Sequence, residues 1–467
     1  MDSSFHENPN VAKDETSGKV FVSCPFALFD LGVPTLPRSL ALPLRLAASF
    51  ALLAAIVPTA LHAQEVDEQT ARRIAERALE RAPVFDGHND VPWQLRGRYE
   101  NRLADFDFAD TSNTADPAND RAAMHTDLAR LRQGKVGAQF WSVYVPVSFE
   151  EPEAVKATLE QIDVTRRLIA RYPDDLAFAT SAKDVEEAVR AGRIASLMGM
   201  EGGHSIGADL GVLRQMYALG VRYMTLTHSR NTGWADSATD TPVHGGLSDF
   251  GKDVVREMNR IGMLVDLSHV SEETMSDALD VAVAPVIFSH SGARAINGHP
   301  RNVPDTILRR LPQNGGVVMV VGLPAYLNED LRQWNARKAA EEARLDALYQ
   351  GQPTSREEAL ATWLSGNPTP EATIADMADH IDHVRAVAGI DHIGIGGDYD
   401  GMPSGPVGME DVSGYPALFV ELARRGYSQR DLEKIAFTNA LRAMREAERY
   451  AATQGASNPL ETRGPAL

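Results

Sequence analysis

Histidines and carboxylates follow short apolar runs at several points along this 467-residue sequence. His88 and Asp90 end the run VFDGHND (84–90), and because alternate residues of a strand point the same way, both can bind one ion. The corresponding positions after later apolar runs are held by Glu201, His228, His269, His290 and Asp398. A single histidine at a strand end is weak evidence, but six such ends together predict one functional cluster.

Imidazoles and carboxylates without a thiolate favour Zn²⁺, with Mn²⁺, Fe²⁺ or Co²⁺ as substitutes. His269 and His290 supply two imidazoles from adjacent strands, and Glu201 has two oxygens with which to bridge two ions. Two ions about 3.5–4 Å apart share a water and lower its pKa towards neutrality. The expected chemistry is hydrolysis of a polarised carbonyl or phosphoryl centre.

The remaining ionisable residues receive different expectations. Asp398 is a natural proton carrier beside the attacking water, and His228 suits stabilisation of the developing oxyanion. His204 is expected to support the loop after Glu201, and His392 to lie on the opposite face of the fold. Surface or supporting roles are expected for the other histidines considered, His125, His244, His380 and His383.

The elements that must position these residues are eight apolar runs separated by helical patterns. The runs are 84–90, 136–145, 194–203, 221–228, 263–269, 285–290, 315–323 and 392–400. This alternation predicts an α/β fold, a (β/α)8 TIM-type barrel in which the carboxyl ends of all strands meet on one face. An open doubly wound sheet is the alternative, but the first strand lacks its glycine-rich phosphate turn. Segment 325–370 is predicted to be a helical insert between strands 7 and 8.

Composition excludes several classes of partner and site. The formal net charge of −18 argues against nucleic acid or an anionic membrane surface as the primary partner. The single cysteine, Cys24, permits no intramolecular disulfide and no cysteine-based metal site.

Residues 46–61 form an apolar, uncharged run that Arg38 and Arg45 precede and a polar sequence follows. This order is typical of a secretory signal, so we expect an exported protein, periplasmic or secreted. An uncleaved N-terminal membrane anchor is the alternative. Residues 1–63 are therefore predicted to be a prefix with a signal peptide, and residues 64–467 a single barrel domain.

Several long strings resemble the membrane (renal) dipeptidase family of metal-dependent amidohydrolase barrels. They are DGHNDVPW (86–93) and the segments 200–237, 249–271, 289–305 and 380–401. The resemblance extends over about residues 84–445 and does not cover the prefix or the insert.

The resemblance implies a dinuclear zinc dipeptidase that hydrolyses dipeptides through a metal-bridging hydroxide. One zinc would be held by His88, Asp90 and Glu201, and the other by Glu201, His269 and His290. Asp398 would be the catalytic acid and base, and His228 would contact the substrate. Arg301 would bind the substrate carboxylate, with Tyr326 lining the pocket. A homodimer is also implied.

Two other readings remain open from the sequence. The same site would also serve a hydrolase of another carboxylate-bearing amide, a β-lactam or a lactone, since Arg301 indicates a carboxylate and not a peptide bond. A non-catalytic metal-binding protein is the third reading. The acid and base residues argue against it, because a structural site needs no proton carrier.

Overall fold

A computed structural model describes residues 66–119, 121–455 and 457–465. The predicted prefix and signal segment, residues 1–63, lies outside the described residues. Among the helices that are described, none combines the length and apolar character needed to cross a membrane.

The strands of the described chain form one parallel sheet. They are β1 (Val84–Asn89), β2 (Val136–Ser142), β3 (Leu176–Phe178), β4 (Ile194–Glu201), β5 (Val221–Thr225), β6 (Leu264–Asp266), β7 (Ile287–Phe288), β8 (Val317–Val321) and β9 (Ile393–Gly396). Pairing runs β2-β1-β9-β8-β7-β6-β5-β4, and β2 also pairs with β4, so these eight strands close into a ring. The predicted (β/α)8 barrel is therefore confirmed, and the open sheet is excluded.

Helices follow the strands and cover the outside of the barrel. They are α1 (Glu68–Arg81), α2 (Val91–Tyr99), α3 (Leu128–Gln133), α4 (Glu151–Arg171), α5 (Ala182–Arg190), α6 (Leu210–Ala218), α7 (Asp249–Ile261), α8 (Glu272–Val281), α9 (Asp305–Leu308), α10 (Leu311–Asn314), α11 (Pro324–Leu327), α12 (Glu329–Leu348), α13 (Pro353–Gly366), α14 (Ile374–Val387), α15 (Tyr415–Arg424), α16 (Gln429–Glu433) and α17 (Asn439–Gln454).

Burial on both faces explains why the barrel strands read as continuous apolar runs. Every residue of β1, β2 and β4 is buried, because one face packs inside the barrel and the other against helices. All eight predicted strands are present. The sequence did not reveal β3, a three-residue strand that pairs with β4 outside the ring and is only partly buried.

The insert between the seventh and eighth barrel strands, β8 and β9, is helical as predicted and consists of α11, α12 and α13. Trp334 of α12 packs against Trp363 of α13 with 5.9 Å between ring centroids, and its indole donates to the Asn367 carbonyl at 2.9 Å. No residue of α13 is buried. The insert therefore has its own small core, apart from that of the barrel.

Candidate active site

The carboxyl ends of the strands bring the predicted cluster together. His88 lies in β1, Glu201 is the last residue of β4, and Asp90 is the residue just before α2. Two further members, His269 and Asp398, have the left-handed backbone (φ 69° and 63°) that residues other than glycine rarely adopt. Such backbone strain is common at functional sites, where the surrounding structure holds the residue in place.

One group of possible metal ligands comprises His88, Asp90 and Glu201. His88 Nε2 lies 3.3 Å from Asp90 Oδ2 and 3.4 Å from Glu201 Oε2. Atoms bound to one tetrahedral zinc at about 2.0–2.2 Å are roughly 3.3–3.6 Å apart, so these three are suitably spaced.

The second group lies on the other side of the same glutamate. Glu201 Oε1 is 2.9 Å from His269 Nε2 and 3.4 Å from His290 Nε2, and the two imidazole nitrogens are 3.0 Å apart. Each oxygen of Glu201 thus faces a different set of ligands, which is the arrangement expected of a bridging carboxylate.

Unsatisfied buried atoms test whether this cluster fits a metal. His88 Nε2 and Asp90 Oδ1 are buried and have no hydrogen-bond partner. Such atoms cost free energy unless something binds them, and both belong to the first ligand group. The Tyr223 hydroxyl lies 2.8 Å from His88 Nδ1 and donates to the Gly87 carbonyl at 3.3 Å. The tyrosine oxygen can therefore accept a hydrogen bond from the Nδ1–H, which leaves the Nε2 lone pair for a metal.

Asp398 lies against the cluster, within ligand distance of His88 and His290. Its backbone N–H donates to the His88 carbonyl at 3.1 Å, which ties it to β1. Burial raises the pKa of Asp398 to about 8, and the neighbouring Asp90 and Glu201 carboxylates contribute to the rise. A carboxyl with a pKa near neutrality exchanges protons readily at physiological pH.

His228 is close to the cluster but at its edge. Its Nε2 is 3.8 Å from Glu201 Oε1, and its ring stacks on that of His269 with 4.2 Å between centroids. Burial lowers the pKa of His228 to about 4, so the imidazole is neutral at physiological pH. A neutral imidazole has one N–H to donate. It can therefore stabilise an oxyanion through a hydrogen bond without adding a positive charge beside the metal positions.

Arg301 is almost completely buried in the wall of a cavity of about 610 Å³ that the cluster also lines. Its guanidinium donates to Ser291 Oγ at 3.3 Å and to the His290 carbonyl at 3.2 Å, and it lies 5.5 Å from the centre of the Tyr326 ring. No ion pair within the described residues involves Arg301, and its Nε has no partner. A buried guanidinium that forms no ion pair can bind a carboxylate from outside.

The structure thus brings together all seven residues predicted from strand ends. Six of them and Arg301 line one cavity, and His88 lies against two of the six, Asp90 and Glu201. A family model described as membrane dipeptidase (peptidase family M19) matches residues 72–458. This chain belongs to the M19 membrane dipeptidase family. The match confirms the resemblance seen in the sequence.

Two relatives are named as dipeptidases. Dipeptidase tcpJ of Claviceps purpurea (strain 20.1) is 42% identical over 378 residues, 79% of this chain and 78% of that protein. Dipeptidase 3 of Macaca fascicularis is 40% identical over 399 residues, 84% of this chain and 71% of that protein. This M19 member is accordingly a metallo-dipeptidase, a hydrolase that acts on peptide bonds.

Solved structures agree with the barrel. The probable dipeptidase PvdM from Pseudomonas aeruginosa has a TM-score of 0.68 at 28% identity, covering 82% of this chain and 100% of that one. A metallo peptidase from Rhodobacter sphaeroides, liganded with a phosphinate mimic of the dipeptide L-Ala-D-Ala, has a TM-score of 0.64 at 24% identity and covers 78% of this chain and 99% of that one. This second likeness shows the fold alone.

Other cavity residues of this M19 dipeptidase were not singled out from the sequence. Trp93 and Tyr144 line the cavity and meet edge to face with 5.2 Å between their rings, and the Tyr144 ring lies 4.8 Å from that of His228. Trp93 closes the string DGHNDVPW (86–93), so its nearness to His88 was the available signal. Tyr144 follows β2, a strand whose end carries no histidine or carboxylate.

The histidines outside the cluster have structural contacts. His204 Nε2 lies 3.2 Å from the Val145 carbonyl, and His392 Nδ1 lies 2.7 Å from the Gly316 carbonyl at the opposite end of the barrel. His380 is not on the surface. It is fully buried and accepts a hydrogen bond from the Ala293 N–H at 2.8 Å. This hydrogen bond joins α14 to the loop after β7.

Proposed function

We propose that this M19 dipeptidase binds two Zn²⁺ per chain. His88, Asp90 and Glu201 would hold one ion, and His269 and His290 would hold the other together with Glu201. The observation that carries the proposal is the orientation of Glu201, whose two oxygens face two separate ligand sets at 2.9–3.4 Å. Such a pair of ions would supply one piece of chemistry, the activation of a water as the hydroxide nucleophile.

The chain's own residues divide the remaining work. Arg301 binds the C-terminal carboxylate of a dipeptide through parallel hydrogen bonds, which orients the scissile carbonyl over the cluster. The neutral His228 donates a hydrogen bond to the oxygen of that carbonyl as negative charge develops. Asp398 takes the proton of the attacking water and returns it to the leaving amine.

A substrate panel tests this function against its alternative. The zinc-loaded protein is assayed with dipeptides, with the same dipeptides amidated at the C-terminus, and with a β-lactam and a lactone that carry a carboxylate. We expect hydrolysis of free dipeptides at a far higher kcat/KM than of the amidated forms. A β-lactam or lactone turned over faster than every dipeptide would favour the alternative hydrolase, because Arg301 recognises a carboxylate and not a peptide bond.

Metal analysis tests the ligand set. Elemental analysis of the purified wild type is expected to give two zinc ions per chain, and Glu201→Ala should lose both because the residue is shared. Retention of one full equivalent by Glu201→Ala would mean that Glu201 does not bridge.

We also propose that residues 64–467 form the mature single-domain enzyme, which is exported and assembles as a homodimer. The support for export is the apolar run 46–61 with its basic N-terminal flank. N-terminal sequencing of the enzyme recovered from cells tests the cleavage, since an intact prefix would indicate an anchor. Light scattering on the purified enzyme tests the dimer.

A further inference from the structure

A buried carboxylate, Asp266, lies behind the cluster and takes no part in the steps above. It is the last residue of β6 and is fully buried. Its Oδ1 accepts the backbone N–H groups of Ser268 and Ser289 at 3.1 and 2.8 Å. Its Oδ2 accepts the hydroxyls of Thr225 and Ser289 at 2.5 and 2.6 Å. All four contacts are donations to Asp266, so its oxygens act only as acceptors.

Ser289 connects this carboxylate to a proposed zinc ligand. The Ser289 hydroxyl lies 2.8 Å from Nδ1 of His290, on the side of the ring away from Glu201. A hydroxyl has one hydrogen. Because Ser289 donates that hydrogen to Asp266, its oxygen must accept a hydrogen bond from the Nδ1–H of His290. The Nε2 lone pair of His290 then faces the proposed metal position, where His269 Nε2 lies 3.0 Å away.

The three histidines proposed as zinc ligands differ in the partner of their Nδ1 atom. Nδ1 of His88 meets a tyrosine hydroxyl whose own acceptor is a neutral carbonyl, and Nδ1 of His269 is buried with no partner in the described structure. Among these three, only His290 has an Nδ1 that a hydroxyl connects to a carboxylate within the described residues. A carboxylate behind a ligating histidine fixes its tautomer and increases its basicity, and loss of such a partner typically weakens metal binding 10–100-fold.

We propose that Asp266 and Ser289 are positioning residues that hold His290 as an Nε2 ligand, and that zinc in the site of Glu201, His269 and His290 depends on this relay. The inference rests on the proposed two-zinc site and goes beyond it by assigning the relay to one of the two ions. Asp266→Asn should weaken zinc binding as much as Ser289→Ala. The new amide would donate to Ser289, turn its hydroxyl towards His290 Nδ1, and place the imidazole proton on Nε2, inside the site.

Chelator competition on the full chain tests the relay, with zinc affinity as the readout. Ser289→Ala and Asp266→Asn are the test variants. Thr225→Val is the matched control, since it also removes a hydroxyl donor to Asp266 Oδ2 but leaves the contact between Ser289 and His290. We expect the test variants to bind one of their two zinc ions about 10–100-fold more weakly, and the control to bind both within about threefold of wild type. Melting temperatures of the metal-free proteins should fall in all three.

Equal zinc affinity in Ser289→Ala and Thr225→Val would overturn the relay, because both variants would then act only through loss of a hydrogen bond to Asp266. If Ser289→Ala does not fold, the comparison of Asp266→Asn with Thr225→Val decides in the same way. A wild type that binds fewer than two zinc ions would overturn the proposed two-zinc site instead. The two failures are therefore distinguished by the wild-type titration alone.

Discussion

At the scale of single residues, a substitution of Asp398 would separate the proposed proton transfer from metal binding. It lies against His88 and His290, yet the two ligand groups that share Glu201 are complete without it. Asp398→Asn keeps the shape of the side chain and removes the proposed proton carrier. We expect kcat to fall about 10²–10⁴-fold while both zinc ions are retained. Steady-state kinetics with a free dipeptide measures kcat, and elemental analysis measures the zinc content. A near-wild-type kcat would show that Asp398 takes no part in the reaction.

The proposed role of Arg301 leads to a prediction about substrate binding. Charge-assisted hydrogen bonds contribute about 1.5–3 kcal/mol each, so Arg301→Ala should raise KM for free dipeptides about 10–100-fold. The same substitution should change KM for C-terminally amidated dipeptides far less, because they carry no carboxylate. The comparison of the two substrates is the control. A similar rise for both would indicate that Arg301 supports the cavity wall through Ser291 and the His290 carbonyl and does not bind the carboxylate.

The identities of these residues were readable from sequence, but their supporting contacts were not. His269 and His290 stood out because each ends an apolar run. Asp266 and Ser289 lie within three residues of them, and nothing in the pattern says that a carboxylate from β6 would meet a serine after β7. That contact depends on neighbouring strands lying in register, with Asp266 opposite Ile287.

At the scale of elements, the close approach of β9 to the Ser289 backbone limits the size of the side chains that β9 can accommodate. Gly396 is the last residue of β9, and a Cβ placed there would overlap the Ser289 carbonyl oxygen and lie 2.9 Å from its carbon. Gly396→Ala should therefore destabilise the fold by about 1–3 kcal/mol. Because the displaced residue precedes His290, zinc affinity should fall as well. Urea denaturation of the zinc-loaded and metal-free proteins measures both effects.

Gly97 provides the matched control for this substitution. It lies in α2, and apart from its chain neighbours and its own helix backbone no atom lies within 4 Å of the position its Cβ would take. Gly97→Ala should be neutral or stabilise the protein by up to about 1 kcal/mol, because alanine favours a helix. If the two variants were equally stable, β9 would have room to move away from Ser289, and the tight packing would have no energetic consequence.

The sequence predicted the strands that are fully buried and missed the one that has an exposed residue. Runs that are buried on both faces stand out as apolar stretches, so all eight barrel strands and the helical insert were foreseen. The strand β3 was not, because three residues with one exposed side chain carry no period. The φ values of His269 and Asp398 could not be foreseen either, since contacts distant in sequence impose them.

At the scale of the whole molecule, the metal cluster joins strands that are far apart in the chain. His88, Glu201 and His290 come from β1, the end of β4 and the residues after β7, so bound zinc would connect a large part of the ring. Zinc that binds the folded chain and not the unfolded one adds about 2.7 kcal/mol of stability at a free concentration 100 times its Kd. The melting temperature of chelator-treated enzyme should therefore rise with added zinc, together with the recovery of activity.

Two variants make this global prediction specific to the cluster. Asp398→Asn should show the wild-type rise in melting temperature without recovering activity, because it keeps all five proposed ligands. Glu201→Ala should show little rise at any zinc concentration that saturates the wild type, because both proposed sites lose the carboxylate that they share. Calorimetry over a zinc series measures all three proteins under one condition. A full wild-type rise in Glu201→Ala would mean that zinc stabilises the barrel from somewhere other than this cluster, and the assignment of the ligands would be wrong.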